Sequence, residues 1–210
     1  AAYEEVARRV ADLAPDTLVI SSPHTTSYLD YLHISPGPGA RGDFADFGDR
    51  ADGSEVTYDE EFVRELASAA EAVGIPAGVK IHARLDWGVL VPLHFIQARC
   101  RGFKVVRMGL AGFSPLEHYR LGALVQQTAA RLGRRVVYVA SGDLSHKLAV
   151  DGPYGFAPDG PVFDGAVCDA LSTGDFLSLL AMDPGLCERA AECGLRSFQI
   201  MAGALDGTPV

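Results

Sequence analysis

The spacing of apolar residues changes along the first part of the chain. A helical spacing predicts an N-terminal helix that ends before Pro15, and its apolar positions are Tyr3, Val6, Val10 and Leu13. The next apolar run, TLVISS at residues 17–22, is short and rich in β-branched residues, which predicts a buried parallel strand. His24 therefore lies just past a predicted strand end.

Residues 29–56 show no sustained period and contain several glycines and prolines. A stretch of this length in a compact domain is typical of a functional loop or lid. Thr57 and Glu60 then have the spacing of a capping box, and they predict a helix that continues to Gly74.

Further strands and helices alternate after this point. The apolar runs at 88–96 and 103–110 have strand length, a helical face leads to Gly133, and RRVVYVAS at 134–141 again predicts a strand. Residues 162–206 are predicted to be mostly helical. The pattern predicts a single α/β domain over residues 1–210, with a parallel-rich mixed central sheet and helices on both faces.

Composition narrows the class of protein. With 18 basic and 27 acidic residues the formal charge is −9, which disfavours nucleic acid as a partner. No stretch is apolar for long enough to predict a membrane span or a signal peptide. The four cysteines lack metal-type CxxC spacing and the density of a disulfide scaffold, so we expect them reduced and the protein cytoplasmic. Nucleotide-binding and common hydrolase motifs are not found.

Two histidine-bearing turns follow predicted strands. His24 comes after the strand at 17–22, and the run VVYVASGDLSHKLAV places Asp143, Ser145 and His146 after the strand at 136–141. Carboxyl ends of parallel strands meet at one sheet edge, where open α/β sheets bind their ligands. We therefore expect His24 and His146 to share a site, although strand-end turns of this composition are also ordinary punctuation.

Other polar residues join this candidate site or remain outside it. His33 in the long loop could reach the same edge, and either Glu192 or Cys193 could point inward as a ligand from the break before Gly194. His82, His94 and His118 are interpreted as structural. Two histidines and one carboxylate would suit iron(II) with open positions, and zinc is an alternative.

Five ordered motifs resemble the catalytic B-subunit family of class III extradiol ring-cleaving dioxygenases. They are VISSPHTTSYLDYLHISPGPGARGDF, LDWGVLVPLHFI, YVASGDLSHKL, DGPYGFAPDGP and AAECGLRSFQIMAGALDG. The branch that they resemble most is the dioxygenase-type domain of AmmeMemoRadiSam system protein A, a relative of the Memo family. The resemblance implies non-haem iron(II) held by two histidines and a glutamate, with a further histidine as acid/base.

The resemblance also implies roles for individual residues. His24 matches a histidine ligand, Glu192 matches the region of the carboxylate ligand, and His146 matches the catalytic histidine, which Asp143 would orient. Cys193 is the alternative ligand, because Memo-like relatives have a cysteine in this region. Trp87, His33 and Ser145 are the residues expected to contact substrate.

Two departures from the family pattern stand out. Relatives usually begin with an extra strand that supplies the first histidine ligand, whereas this sequence starts inside the helix AAYEEVARRVADL. That ligand therefore lies upstream of Ala1, is replaced by a residue such as His33, or is missing from the metal site. Trp87 also stands where relatives commonly have a histidine, and indole can neither bind a metal nor accept a proton.

The expected activity is extradiol cleavage of a catecholic or related small aromatic substrate with O2. Two alternatives remain open: a non-catalytic metal- or partner-binding module of the AmmeMemoRadiSam system, and a zinc-type hydrolase that uses the same strand-end histidines. The resemblance is compatible with a homo-oligomer or with partner proteins of that system.

Overall fold

The computed structural model describes residues 2–79 and 84–208, with the backbone alone for 49–52. Its strands are β1 (Thr17–Ser21), β2 (Leu32–Ile34), β3 (Gly39–Phe44), β4 (Asp49–Thr57), β5 (Ala77–Val79), β6 (Lys104–Met108) and β7 (Val136–Ala140). Its α-helices are α1 (Ala2–Leu13), α2 (Glu60–Ala72), α3 (Trp87–Gln97), α4 (Pro115–Leu132), α5 (Asp159–Thr173), α6 (Phe176–Leu180), α7 (Pro184–Ala190) and α8 (Leu195–Ala204).

A five-stranded sheet with the order β5-β2-β6-β1-β7 forms the centre of the fold. β1 pairs in parallel with β6 and with β7, and β2 pairs in parallel with β5, while β2 and β6 are antiparallel. The predicted parallel-rich mixed sheet is therefore confirmed. Every residue of β1 and β6 except Lys104 is buried, because both faces of the sheet are covered.

Successive side chains along each strand pack alternately into two separate hydrophobic cores, one on each face of the sheet. Val19 of β1 packs in the core that contains α2, α4 and α8, whereas Leu18 and Ile20 pack in the core that contains α1 and α3. β6 divides in the same way, with Val106 in the first core and Val105 in the second. The two-residue period of the strands thus confirms helices on both faces. A third cluster joins α5, α6 and α7.

The run at 88–96 corrects the sequence prediction, because it is the helix α3 and not a strand. The buried side chains Val89, Leu90, Leu93 and Ile96 follow helical spacing, and Pro92 lies within the helix. The segment is apolar on nearly every side, and such a run gives no period that separates helix from strand. Packing against α1 and against β3 and β4 decides for the helix.

Residues 29–56 contain more regular structure than the prediction of a functional loop or lid implies. They contain β2, which belongs to the central sheet, and most of an antiparallel hairpin formed by β3 and β4. The glycines and short strand lengths hide the alternation in the sequence. β5 is equally short and is not predicted by any pattern in the sequence.

The predicted start of the next helix is wrong by two residues. Thr57 is the last residue of β4, and Asp59 is the N-cap of α2, where its side chain accepts the Phe62 N–H. The other helix and strand predictions are confirmed, including the end of α4 at Gly133, whose φ of 62° is left-handed. Across the described residues, no helix combines the length and the apolar character that crossing a membrane requires.

Candidate functional site

The carboxyl ends of β1 and β7 lie side by side, as the sequence predicts. Ser21 at the end of β1 is in register with Ala140 at the end of β7. The turn after β1 carries His24, and the turn after β7 carries Asp143 and His146. These turns border a cavity of about 260 Å³ that His24 and Asp143 line. The sheet topology therefore creates the cleft, because the loops that follow adjacent parallel strands emerge at the same edge of the sheet.

His24, Asp143 and Cys193 form a group that could hold a metal ion. One potential ligand atom from each residue lies within 4.8 Å of the other two. His24 and Asp143 are exposed and Cys193 is half-buried. The three residues come from the loops after β1 and β7 and from the break between α7 and α8. Cys193, the alternative of the sequence analysis, is thus the residue that the structure brings to His24.

Backbone contacts hold Asp143 and Cys193 against each other. The Asp143 N–H donates to Sγ of Cys193 at 3.2 Å, and the Cys193 N–H donates to the Asp143 carbonyl at 3.2 Å. Burial raises the pKa of the Cys193 thiol, and the nearby carboxylates of Asp143 and Glu192 raise it further. Gly142 permits this approach, since a Cβ there would lie 2.4 Å from Cα of Gly194.

His146 lies beside this group and contacts two acceptors. Its Nδ1 is hydrogen-bonded to the Ala191 carbonyl, and its Nε2 lies 3.2 Å from Oδ2 of Asp143. Tyr154 packs on the ring at a centroid distance of 4.8 Å. A carbonyl and a carboxylate only accept, so a protonated imidazole satisfies both contacts, and the neutral ring can donate to one of them. Asp143 therefore links His146 to the cluster around His24.

Glu192 occupies a different position from Cys193. Its carboxylate accepts the Leu195 N–H at 2.7 Å at the start of α8. Burial raises the pKa of Glu192, while the Leu195 N–H opposes the increase. The side chain lines a separate cavity of about 420 Å³ together with Arg196. Among the described residues, the potential metal group contains Cys193 and does not contain Glu192.

The residues expected to contact substrate are in three different environments. Trp87 lines the cleft and is 46% exposed, and its ring centroid lies 4.5 Å from that of His24. His33 is fully buried in β2, where Nε2 lies 3.2 Å from the Ser35 hydroxyl. The Ser145 hydroxyl is buried and donates to the Ala190 carbonyl at 2.8 Å. Of the three, the cleft is lined by Trp87.

Two of the three histidines interpreted as structural, His94 and His118, are absent from the lining of the cleft. His118 is fully buried in α4 and its Nδ1 donates to the Ser114 carbonyl at 3.1 Å, while His94 is exposed on α3. His82 lies outside the described residues.

Comparison with known proteins identifies the family. The model of a family described as "Catalytic LigB subunit of aromatic ring-opening dioxygenase" matches residues 1–210. The chain belongs to this family. Protein CA_C1420 of Clostridium acetobutylicum is 32% identical over 214 residues, which cover 98% of this chain and 46% of that protein.

Other relatives of the chain carry names that state a reaction. A Rhodococcus protein named 2,3-dihydroxyphenylpropionate/2,3-dihydroxicinnamic acid 1,2-dioxygenase is 29% identical over 154 residues, or 70% of this chain and 48% of that protein. An Escherichia coli O139:H28 protein of the same name is 27% identical over 150 residues, or 68% of this chain and 47% of that protein. The chain spans about half the length of these curated relatives.

A solved structure supports the fold of this LigB-family chain. The uncharacterized protein JW3007 from Escherichia coli K12 superposes with a TM-score of 0.62 at 16% identity, and the match covers 99% of this chain and 84% of that one.

Sequence reasoning gave Asp143 only the role of orienting His146, and it preferred Glu192 to Cys193. The spacing of Glu192 and Cys193 carries no signal for this choice, because adjacent residues at a helix break can point either way. It also missed Asp86 and Arg107, which contact each other beside the cleft at 2.6 Å. One signal was present: Arg107 is the charged residue inside the apolar run VVRM.

Proposed function

We propose that the chain binds a divalent metal ion at His24, Asp143 and Cys193 and acts on a catecholic or related small aromatic substrate with O2. The observation that carries the proposal is the cluster of one imidazole, one carboxylate and one thiol at the strand ends, within 4.8 Å of one another. Membership of a family of aromatic ring-opening dioxygenases supports the reaction class.

The donor set fits a metal ion. Ligand atoms that share one ion at bond lengths of about 2.0 to 2.3 Å lie roughly 3 to 4.5 Å from one another, so small side-chain rotations close this cluster. Imidazole and carboxylate suit iron(II), while thiolate adds affinity for zinc. When bound, iron(II) supplies the ability to hold a catecholate beside O2 and to pass electrons between them.

The cleft offers an apolar wall for one aromatic ring. Trp87, Val91 and Pro92 lie on one face of α3 and line the cavity together with Val139 and Ala140 of β7. A cavity of about 260 Å³ has room for a single ring with a short substituent. Indole can stack on such a ring and leaves proton transfer to other groups.

His146 is the proposed proton carrier. A neutral imidazole can accept a substrate hydroxyl proton and return it later. In the neutral ring Nδ1 donates to the Ala191 carbonyl, and Nε2 accepts the proton at 3.2 Å from the Asp143 carboxylate, which then accepts the new N–H. Asp143 thus orients the acid/base as well as offering a ligand atom.

Binding without turnover is a second candidate function. It is favoured by the cluster itself, which contains one histidine where the resemblance implies two. Reconstitution with iron(II) under anaerobic conditions, followed by O2 uptake with catechol and with 2,3-dihydroxyphenylpropionate, separates the two. The enzyme proposal expects iron-dependent O2 uptake with a ring-opened product. Stoichiometric metal binding with no uptake on either compound would favour the binding module, and hydrolysis of esters only with zinc would favour a hydrolase.

Variants of His24 and His146 test the two proposed roles, which are metal ligand for His24 and acid/base for His146. His24→Ala should lower iron content sharply, since it removes a direct ligand. His146→Ala should keep the iron and slow turnover by about 10²- to 10⁴-fold, as the loss of a general acid/base does. His94→Ala is the matched control, because His94 is exposed on α3 away from the cluster. Equal loss of iron in His24→Ala and His146→Ala would make His146 a ligand.

A further inference from the structure

Asp86 is hydrogen-bonded through both of its carboxylate oxygens. Nη2 of Arg107 donates to Oδ2 at 2.6 Å, and the Ser22 hydroxyl donates to Oδ1 at 2.5 Å. The Ser22 oxygen in turn accepts the backbone N–H of His24 at 3.2 Å. A continuous series of polar contacts therefore runs from β6, through the start of α3, to the turn that presents His24.

Arg107 anchors this series in the interior. Its side chain is fully buried, and Nη1 donates to the Arg84 carbonyl at 2.8 Å. Buried ion pairs add little stability compared with apolar residues of similar volume, because desolvation offsets the attraction between the charges. The Arg107–Asp86 pair is therefore better explained by the geometry that it imposes than by stability alone.

Close packing adds to the hydrogen bonds around His24. A Cβ at Gly88 would lie 2.4 Å from the Ser22 oxygen and 3.2 Å from Cδ2 of His24. On α3, Trp87 packs on the His24 imidazole at a centroid distance of 4.5 Å. His24 is exposed, so without such contacts its turn and ring would sample several conformations.

We propose that Arg107, Asp86 and Ser22 are positioning residues that fix the turn after β1 and so aim the His24 imidazole at Asp143 and Cys193. The part of this inference that concerns metal affinity rests on the proposed function. The part that concerns the placement of His24 does not need a metal ion. A His24 imidazole that is already held in its binding orientation loses less conformational freedom when it binds a metal ion, and this raises the affinity.

Ser22→Ala tests the inference most directly, because it removes the hydroxyl that joins Asp86 to His24 and leaves the buried ion pair intact. Ser27→Ala is the matched control: Ser27 lies on the same loop, but its hydroxyl donates to the Leu110 carbonyl at 2.7 Å. Co(II) affinity, followed by visible absorption, is the first measurement. Fluorescence of Trp87, the single tryptophan of the chain, in metal-free protein is the second.

Ser22→Ala should lower Co(II) affinity by about 10- to 100-fold, which is the usual effect of losing a hydrogen-bonding residue that orients a metal ligand. It should also change the intensity and acrylamide quenching of Trp87 fluorescence, because the adjacent imidazole moves. Ser27→Ala should match the wild type in both measurements. Gly88→Ala perturbs the same contacts from α3 and should change both measurements in the same direction as Ser22→Ala.

Urea unfolding of each metal-free variant separates positioning from stability. If Ser22→Ala and Ser27→Ala give the same fluorescence and the same Co(II) affinity, the inference is overturned. It is also overturned if Co(II) affinity falls only in step with the urea midpoint in both variants. A wild type that binds no Co(II), combined with altered Trp87 fluorescence in Ser22→Ala alone, would refute the metal site and support the positioning of His24.

Discussion

Asp143 lies close to the imidazoles of both His24 and His146. One of its carboxylate oxygens is 3.2 Å from Nε2 of His146, and its side chain belongs to the cluster with His24 and Cys193. Two hydrogen bonds with Cys193 hold Asp143 in place: the Asp143 N–H donates to Sγ of Cys193, and the Asp143 carbonyl accepts the Cys193 N–H. A carboxylate shared between a metal site and an acid/base couples the two, since a change in either alters the charge that the other faces.

His118 does not line the cleft, but its pKa is shifted in the folded protein. Burial lowers its pKa to about 4, and Arg196 lowers it further, while the Ser114 carbonyl opposes the shift. The unfolded chain therefore takes up a proton near pH 6.5, whereas the folded chain resists protonation until about pH 4. Stability from this residue is present above pH 6.5 and is lost as the pH falls toward 4, by an amount on the order of 3 kcal/mol.

Urea unfolding at pH 7 and pH 4.5 measures this loss. His118→Phe should show a smaller decrease in unfolding free energy between the two pH values than the wild type does. His94→Phe, which changes an exposed histidine, should keep the wild-type decrease. An unchanged decrease in His118→Phe would show that other groups cause it.

α3 forms one wall of the cleft, and the hairpin of β3 and β4 packs against this helix. Helical spacing puts Trp87, Gly88, Val91 and Pro92 on one face of α3, where all four line the cavity. Phe47, in the turn between β3 and β4, packs against Trp87 at a centroid distance of 5.7 Å. A strand at 88–96 would have sent these side chains to alternate faces, so the helix itself creates the wall.

Asp59 ties three elements together and caps α2. It is fully buried, and hydrogen bonds from Thr17, Arg134 and Phe62 outweigh the effect of burial and hold its pKa below the usual value. Asp59→Ala should lower the free energy of unfolding by about 3 kcal/mol, because it leaves buried donors without their acceptor.

Thr57→Ala is the matched control for this cap. Thr57 is the N-cap expected from the sequence, but it is exposed at the end of β4, so its change should stay within about 0.5 kcal/mol. Urea midpoints of the two variants give the comparison. An equal loss in both would contradict Asp59 as the cap.

At the scale of the whole molecule, the proposed metal joins distant parts of the chain. Its ligands come from the loops after β1 and β7 and from the break between α7 and α8. An ion that binds only the folded form stabilises it by about 2.7 kcal/mol at 100 times Kd, which for a chain of this size raises Tm by about 5 to 10 °C.

Thermal unfolding with and without Co(II) checks this expectation. Cys193→Ser should remove most of the rise in Tm, because a hydroxyl is a poor replacement for thiolate. Cys187→Ser is the matched control, since Cys187 is also half-buried but lies outside the cluster. A full rise in Tm for Cys193→Ser would exclude this thiol as a ligand.

The sequence by itself determined the features that depend on neighbouring residues. Apolar runs of strand length followed by small polar turns placed His24 and His146 at strand ends, and the parallel fold class then brought those ends together. Contacts between distant segments decided the rest. The uniformly apolar run of α3 became a helix through packing on α1 and the hairpin. Cys193 rather than Glu192 reached the cluster because Gly142 lets two loops touch, and Arg107 found its partner across 21 residues of chain. Local sequence patterns cannot predict such contacts, because the contacts form between segments that come together only when the chain folds.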